Sequence, residues 1–313
     1  MRFDWAKHEI TTVKELQRMF NTFKKCKTEA VGLDTETEGL NIVYHNPFLI
    51  QWGFYDTKTK KGYAFLVDRE AYPDLATQAV LLINEMGAAA PYLTGANLSF
   101  DLHMLHNMGT PYTHKNVADL QTLIRLCSDA VPVDRGGENI KLKEYAARHV
   151  TKDAKQHEKL LDAEKTKIAK QYNDILFANL KAAGYKTTVM REFLNDKLTD
   201  IEDLDVTARK IYLDWCTALP KEIADAMSEL TINSDEIPYQ CLNRDNMKQY
   251  AFLDIVYLLE IFHDLIRVLK LRKQEETFER ENKLIPALVR MERVGFKINK
   301  EYVTEAKPRV KSY

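Results

Sequence analysis

Three things are scarce in this chain, and each scarcity removes a class of protein. Cysteine is one. Cys26, Cys127, Cys216 and Cys241 are far apart in 313 residues and make no C-x-x-C pair. That argues against a disulfide-stapled scaffold and a zinc knuckle, and reads as free, mostly buried thiols in a reducing compartment. Long apolar runs are absent: none approaches the ~18 residues of a membrane span. The opening MRFDWAKHEI also lacks the apolar core of a secretion signal, so the expected location is a cytoplasm. Net charge is close to zero, at −1. A broad basic surface for gripping duplex nucleic acid is therefore not indicated, although an acidic metal site would mask local lysines in that sum. The chain has no internal repeat and no low-complexity tract. It is 45% hydrophobic and 29% charged, an ordinary globular composition, and its length suggests about two domains.

The pattern of apolar residues gives an element order. Thr12 and Glu15 have capping-box spacing, and Val13, Leu16, Phe20 and Phe23 share a helical face, which predicts a helix over about 13–25. AVGLD (30–34), FLIQWGFYD (48–56) and GYAFLV (62–67) read as strands, the last two joined by a charged turn with Lys58, Lys60 and Lys61. A helix at 74–86 is expected to end at Gly87. PYLTGAN (91–97) is a fourth strand, continued by a helix ending at Gly109. Adjacent strands followed by alternation with helices imply an α/β domain on a mixed sheet. Pro132, Gly136 and Gly137 mark a loop, and LKEYAARHV (142–150) a short helix. Residues 151–235 read as a mainly helical insertion. Its lysines (Lys152, Lys155, Lys159, Lys165, Lys167, Lys170) suit a solvated helix face, with a DNA backbone or a docked partner as alternatives. The stretch 243–270 is a long apolar helix, and a last helix over about 274–294 ends at Gly295.

Three short motifs carry the chemistry. Asp34 and Glu36 stand two apart at a strand end and so share a face. Two such acids raise each other's pKa unless a cation holds them. Asn97, Phe100 and Asp101 lie at a strand-to-helix junction, where an Asp is by default a helix cap. Tyr250 and Asp254 are one turn apart in the apolar helix, where a charge is seldom buried without a partner or a metal. Each motif alone is weak. Together they assemble four carboxylates and a tyrosine, hard oxygen donors suited to Mg2+ or Mn2+. His103 and His106, three apart near Asp101, read as packing residues rather than a metal pair.

The order D-T-E, N-x-x-x-D, Y-x-x-x-D resembles the DEDDy 3′-5′ exonucleases. The wording DTETEGL is similar to the proofreading domain of family A DNA polymerases. LIPALVRMERVGFKIN (284–299) resembles the M-E-x-x-G segment where the polymerase part of such enzymes begins. With no 5′-nuclease region ahead of the exonuclease, the arrangement is similar to phage polymerases. The resemblance implies an RNase H-like mixed β-sheet flanked by helices. It implies an exonuclease domain at 1–270 and a truncated helical start of the polymerase domain at 271–313. The resemblance implies the shared machinery position by position. Asp34, Glu36 and Asp254 match the ligands of one divalent ion, and Asp34 and Asp101 those of a second, Asp101 partly through water. Glu36 matches the acid that bonds the terminal 3′-hydroxyl, and Tyr250 the tyrosine that orients the attacking water. A tyrosine hydroxyl, with an ordinary pKa near ~10, stays protonated there. Leu40 matches a wedge between the last two bases. Thr37 and Asn97 match residues at the terminal nucleotide, with Phe100 beside it or in the core. The implied substrate is DNA with a single-stranded or frayed 3′ end, since a lost base pair lowers the cost of fraying. The implied partners are the rest of the polymerase chain and, through the insertion, a replisome component. The implied compartment is the bacterial host cytoplasm. Two rivals are an RNase D-like exoribonuclease and a catalytically silent DNA-binding or scaffold domain. A monomer is the simplest assembly.

Overall fold

The structure, a computed structural model, describes residues 1–128, 139–182 (side chains to Ile175), 232–295 and 302. The loop expected at 132–137 and residues 183–231 of the expected insertion lie outside the described residues. The chain forms two compact units, Met1–Lys155 with Lys248–Tyr313, and Gln156–Met247.

The first unit is built on a six-stranded mixed sheet. In chain order its strands are β1 (Asp4–Glu9), β2 (Ala30–Thr37), β3 (Pro47–Asp56), β4 (Lys61–Asp68), β5 (Tyr92–Gly95) and β6 (Val117–Asp119). In space they run β1-β4-β3-β2-β5-β6. β2, β3 and β4 are an antiparallel meander. β1 joins β4 in parallel, and β5 and β6 extend the other edge in parallel. All ten residues of β3 are buried, because helices cover both faces of the sheet. β1 and β6 have no counterpart in the sequence reading.

One face carries α1 (Val13–Phe23), α2 (Pro73–Ala89) and α3 (Leu98–Asn107). The capping box at the start of α1 is formed: Thr12 Oγ1 accepts from Glu15 N at 3.3 Å, and Glu15 Oε2 accepts from Thr12 N at 3.0 Å. Leu16, Met19, Phe20 and Phe23 of α1 pack with Val31, Leu33, Ile50, Trp52 and Phe54 of the sheet. α2 does not end at Gly87. It runs through that residue to Ala89, with Gly87 buried where a Cβ would meet Tyr112 and Leu93 at 3.1–3.2 Å. Gly109 follows α3 with φ +77°, as a helix-terminating glycine should. Next come α4 (Leu120–Cys127) and α5 (Leu142–His149).

The opposite face is covered by α7 (Arg244–Leu271), followed by α8 (Glu275–Val294). α7 can lie close to the sheet because Gly32 and Gly53 are register partners on β2 and β3. A Cβ on Gly32 would stand 3.0 Å from Leu259, and one on Gly53 would stand 2.5 Å from Ile255.

In the second unit the described residues form α6 (Gln156–Ala182) and two short 3-10 turns at Ser234–Glu236 and Tyr239–Cys241. Asn173 exchanges hydrogen bonds with the backbone of Ile232 at 2.9 and 3.2 Å. The lysines there are not one solvated face. Lys159, Lys167 and Lys170 are exposed, whereas Lys165 is buried with its Nζ 3.7 Å from the Tyr239 ring centroid.

Candidate active site

β2 delivers the first two acids. Its even-numbered residues face α7, as the contacts of Gly32 with Leu258 and Leu259 show. Asp34 and Glu36 follow on that face at the strand's C-terminal end, where the register with β3 shifts between Glu36 and Thr37. Directly across, Asp34 pairs in register with Gln51 of β3. The fully buried Gln51 amide donates to Asp34 Oδ2 at 2.7 Å and to Glu36 Oε1 at 3.3 Å.

α7 supplies the third acid. Asp254, buried one turn before Leu258, meets the other two so that oxygens of Asp34, Glu36 and Asp254 lie within 4.8 Å of one another. Lys143 of α5 reaches the same point and forms an ion pair with Asp254 Oδ1. Its Nζ also lies 3.9 Å from the ring centroid of Tyr250 and 5.7 Å from that of Tyr257.

Asp101 arrives from the other face. The chain turns through Asn97, which takes left-handed backbone angles (φ 64°) that asparagine tolerates better than most residues. α3 then begins, with Asp101 buried in its first turn. Thr35, between the two β2 acids, donates from Oγ1 to Asp101 Oδ1 at 2.8 Å. Burial holds the Asp101 carboxyl well above the usual carboxylate range, and the neighbouring charges of Asp34 and Glu36 add to the effect. Burial also raises Asp34, against the Gln51 hydrogen bond and the charge of Lys143.

This is a cluster of hard oxygen donors whose negative charges need a counter-charge, and it fits a divalent cation. Residues 7–174, more than half of the chain, match the family model described as 3′-5′ exonuclease. The chain belongs to the 3′-5′ exonuclease family.

Solved structures similar to this exonuclease include Brucella melitensis NrnC with bound Mg2+, at 13% identity and a TM-score of 0.47, covering 94% of this chain and 95% of that one. Escherichia coli RNase D is similar at 14% identity and a TM-score of 0.45, with 91% and 51% covered. The catalytic core of Trypanosoma brucei RRP6 is similar at 12% identity and a TM-score of 0.44, with 90% and 51% covered. No curated protein matches the exonuclease in sequence. Its six-stranded mixed sheet flanked by helices is the RNase H-like architecture.

Of the residues expected at the substrate, Thr37 and Leu40 follow Glu36 within four residues of sequence, and Asn97 and Phe100 precede Asp101. Thr37 is half-buried at the end of β2, its hydroxyl donating to Gly39 O at 2.8 Å. Leu40 is 86% exposed on the loop that follows. Asn97 is exposed at the start of α3, and Phe100 is half-buried, outside the apolar core. Sequence reasoning missed Gln51, Thr35 and Lys143. A signal for Gln51 was present, since it is the one polar residue in the apolar run FLIQWGF. Nothing in LKEYAARHV separates Lys143 from its neighbours Lys141 and Arg148.

Proposed function

We propose that this exonuclease removes nucleoside 5′-monophosphates from the 3′ ends of DNA, with two divalent ions, as the proofreading part of a family A-like DNA polymerase. The observation that carries the reading is the convergence of Asp34, Glu36 and Asp254 within 4.8 Å in a member of the 3′-5′ exonuclease family. In this reading the three acids hold one Mg2+ or Mn2+, and Asp34 with Asp101 holds the second. The bound ions would supply positive charge that makes water a better nucleophile near neutral pH and offsets charge developing on the phosphate.

The chain's own groups do the rest. Gln51 fixes the orientation of Asp34 and Glu36, so that both lone-pair sets point the same way. Thr35 does the same for Asp101. Tyr250 positions the attacking water through its hydroxyl, and Lys143 against its ring restrains the phenol. Thr37, Leu40, Asn97 and Phe100 hold the last nucleotides by apolar and polar contact that tolerates any base. The DNA reading and the polymerase context rest on the likeness of DTETEGL and LIPALVRMERVGFKIN to family A polymerases. Among the described residues no helix is long and apolar enough to cross a membrane.

The test uses 5′-labelled single-stranded DNA and RNA of one sequence, with Mg2+ or EDTA. It compares the native chain with Asp34→Ala/Glu36→Ala. Stepwise, metal-dependent shortening of the DNA that the double variant lacks is the expected result. Shortening confined to RNA would move the reading to an exoribonuclease. Binding without cleavage would make the chain a binding domain.

A further inference from the structure

Asp101 is carried by the first turn of α3, so its position depends on what holds that helix. Its carboxyl is buried behind β2, where it accepts from Oγ1 of Thr35, the residue between Asp34 and Glu36, at 2.8 Å. Asp101 and His103 stand two residues apart, about 200° around a helix, so they face opposite flanks of α3. The first meets Thr35 of the sheet. The second, 1% exposed, meets α8.

The contact with α8 is a closed set of hydrogen bonds. Arg293 Nε donates to His103 Nδ1 at 2.9 Å, and Arg293 Nη2 donates to the His103 carbonyl at 2.6 Å. A guanidinium has no acceptor, so Nδ1 must be the lone-pair side of the ring. The proton then sits on Nε2, which donates to Glu292 Oε2 at 2.6 Å. Both ring nitrogens are thus engaged. α8 grips the start of α3 as well. Asn282 Oδ1 accepts from Asp119 N at 2.8 Å, and Asp119 Oδ2 accepts from Leu98 N at 2.8 Å.

We propose that Arg293 and Glu292 are positioning residues for the exonuclease reaction, bracing α3 through His103 so that Asp101 is held against the other acids. The inference rests on the metal-dependent reading above. It gives the M-E-R-V-G segment a task within the exonuclease unit, whatever follows it in a longer chain.

The experiment uses the full chain with Arg293→Ala, Arg293→Lys and Glu292→Ala. Mn2+ binding is followed by the resonance of the free ion, kcat and KM are measured on single-stranded DNA across Mg2+ concentrations, and thermal melting reports folding. Arg293→Ala should weaken Mn2+ binding and lower kcat by about tenfold, the range seen when a group orienting a metal ligand is removed. KM should stay nearly constant, and Arg293→Lys should recover part of both losses. If Arg293→Ala does not fold, Glu292→Ala carries the test, because the Glu292 side chain is half-exposed. Variants that melt like the native chain and keep its Mn2+ binding and kcat would overturn the brace and leave the exonuclease reading standing. If the native chain cleaves nothing, the Mn2+ measurement still decides: weaker binding in the variants supports the brace, unchanged binding ends it.

Discussion

Glu260 and Asp254 are both buried acids of α7, and their surroundings separate support from chemistry. The Glu260 carboxylate accepts from Arg2 N at 2.9 and 2.7 Å, from Phe3 N at 3.1 Å and from Trp5 Nε1 at 2.8 Å. Those donors account for its charge, and its task is to anchor the N-terminal segment. Asp254 is placed among two further carboxylates, with Lys143 as an ionic partner. Removing one member of a buried pair strands the other, at a cost of about 3 kcal/mol or more. Lys143→Ala should therefore destabilise the metal-free protein by about that much, while saturating Mg2+ should restore most of the loss by supplying another counter-charge. Urea unfolding in EDTA and in Mg2+ measures the two values. An equal loss in both would mean that Lys143 only packs against Tyr250 and Tyr257. Gln51→Leu tests the orienting role directly. It should lower metal-dependent cleavage by about tenfold or more, as expected for a group that orients metal ligands. In EDTA the fold should lose about 1–3 kcal/mol, because the carboxylates of Asp34 and Glu36 lose a buried donor, so rates are compared at temperatures where both proteins remain folded. A rate within twofold of native would refute an orienting role.

The helix that brings Asp254 to β2 depends on two glycines that face each other across β2 and β3. Gly53→Ala places a methyl 2.5 Å from Ile255 Cγ2 and 2.6 Å from Tyr63 O. Overpacking of this kind costs about 1–3 kcal/mol, and it lifts α7 at the residue next to Asp254. Gly53→Ala should lower both stability and metal affinity, and calorimetric Mg2+ titration beside a thermal melt tests the pairing of the two effects. How legible such features are in the sequence depends on how local their cause is. The capping box before α1 and the i, i+2 pair of Asp34 and Glu36 are written in neighbouring residues, so they can be read directly. So can Tyr250 and Asp254, because a charge in an apolar helix stands out. β1 is an edge strand whose mixed sequence DWAKHE shows no alternation, and its place is set by β4 and by Glu260 of α7. β6 has only three residues. Gly87 looks like a helix stop but is buried by close packing against Tyr112 and Leu93. Gln51, Thr35 and Lys143 act through partners 15 to 111 residues away, at Glu36, Asp101 and Asp254 respectively. No spacing rule reaches that far.

At the scale of the whole molecule, the acidic site sets how stability responds to pH and to metal. Asp101 and Asp34 are raised above ordinary carboxylate behaviour, chiefly by burial. A carboxyl that binds its proton more tightly in the folded state stabilises the fold when protonated. Its contribution is therefore lost as pH rises from the unfolded value, near ~4, through the raised folded value. Other acids oppose this trend. The hydrogen bond with His263 lowers Glu29, that with Thr59 lowers Asp56, and that with Lys155 lowers Glu144. Their contributions are present above the unfolded value and lost as pH falls. The pH curve of the native chain mixes the two signs, so the informative quantity is the difference from Asp101→Asn, which is neutral throughout. In EDTA this variant should melt above the native chain, and the gap should widen from about pH 5 to about pH 8, at roughly 2 °C or more per kcal/mol for a chain of this size. Saturating Mg2+ should shrink or reverse the gap, because the ion stabilises the native carboxylate that the amide cannot replace. A gap that ignores both pH and Mg2+ would mean that Asp101 is already neutralised by the protein itself. Thr35 and the α8 brace would then hold an uncharged acid, and the proposed role of Asp101 as a metal ligand would fall.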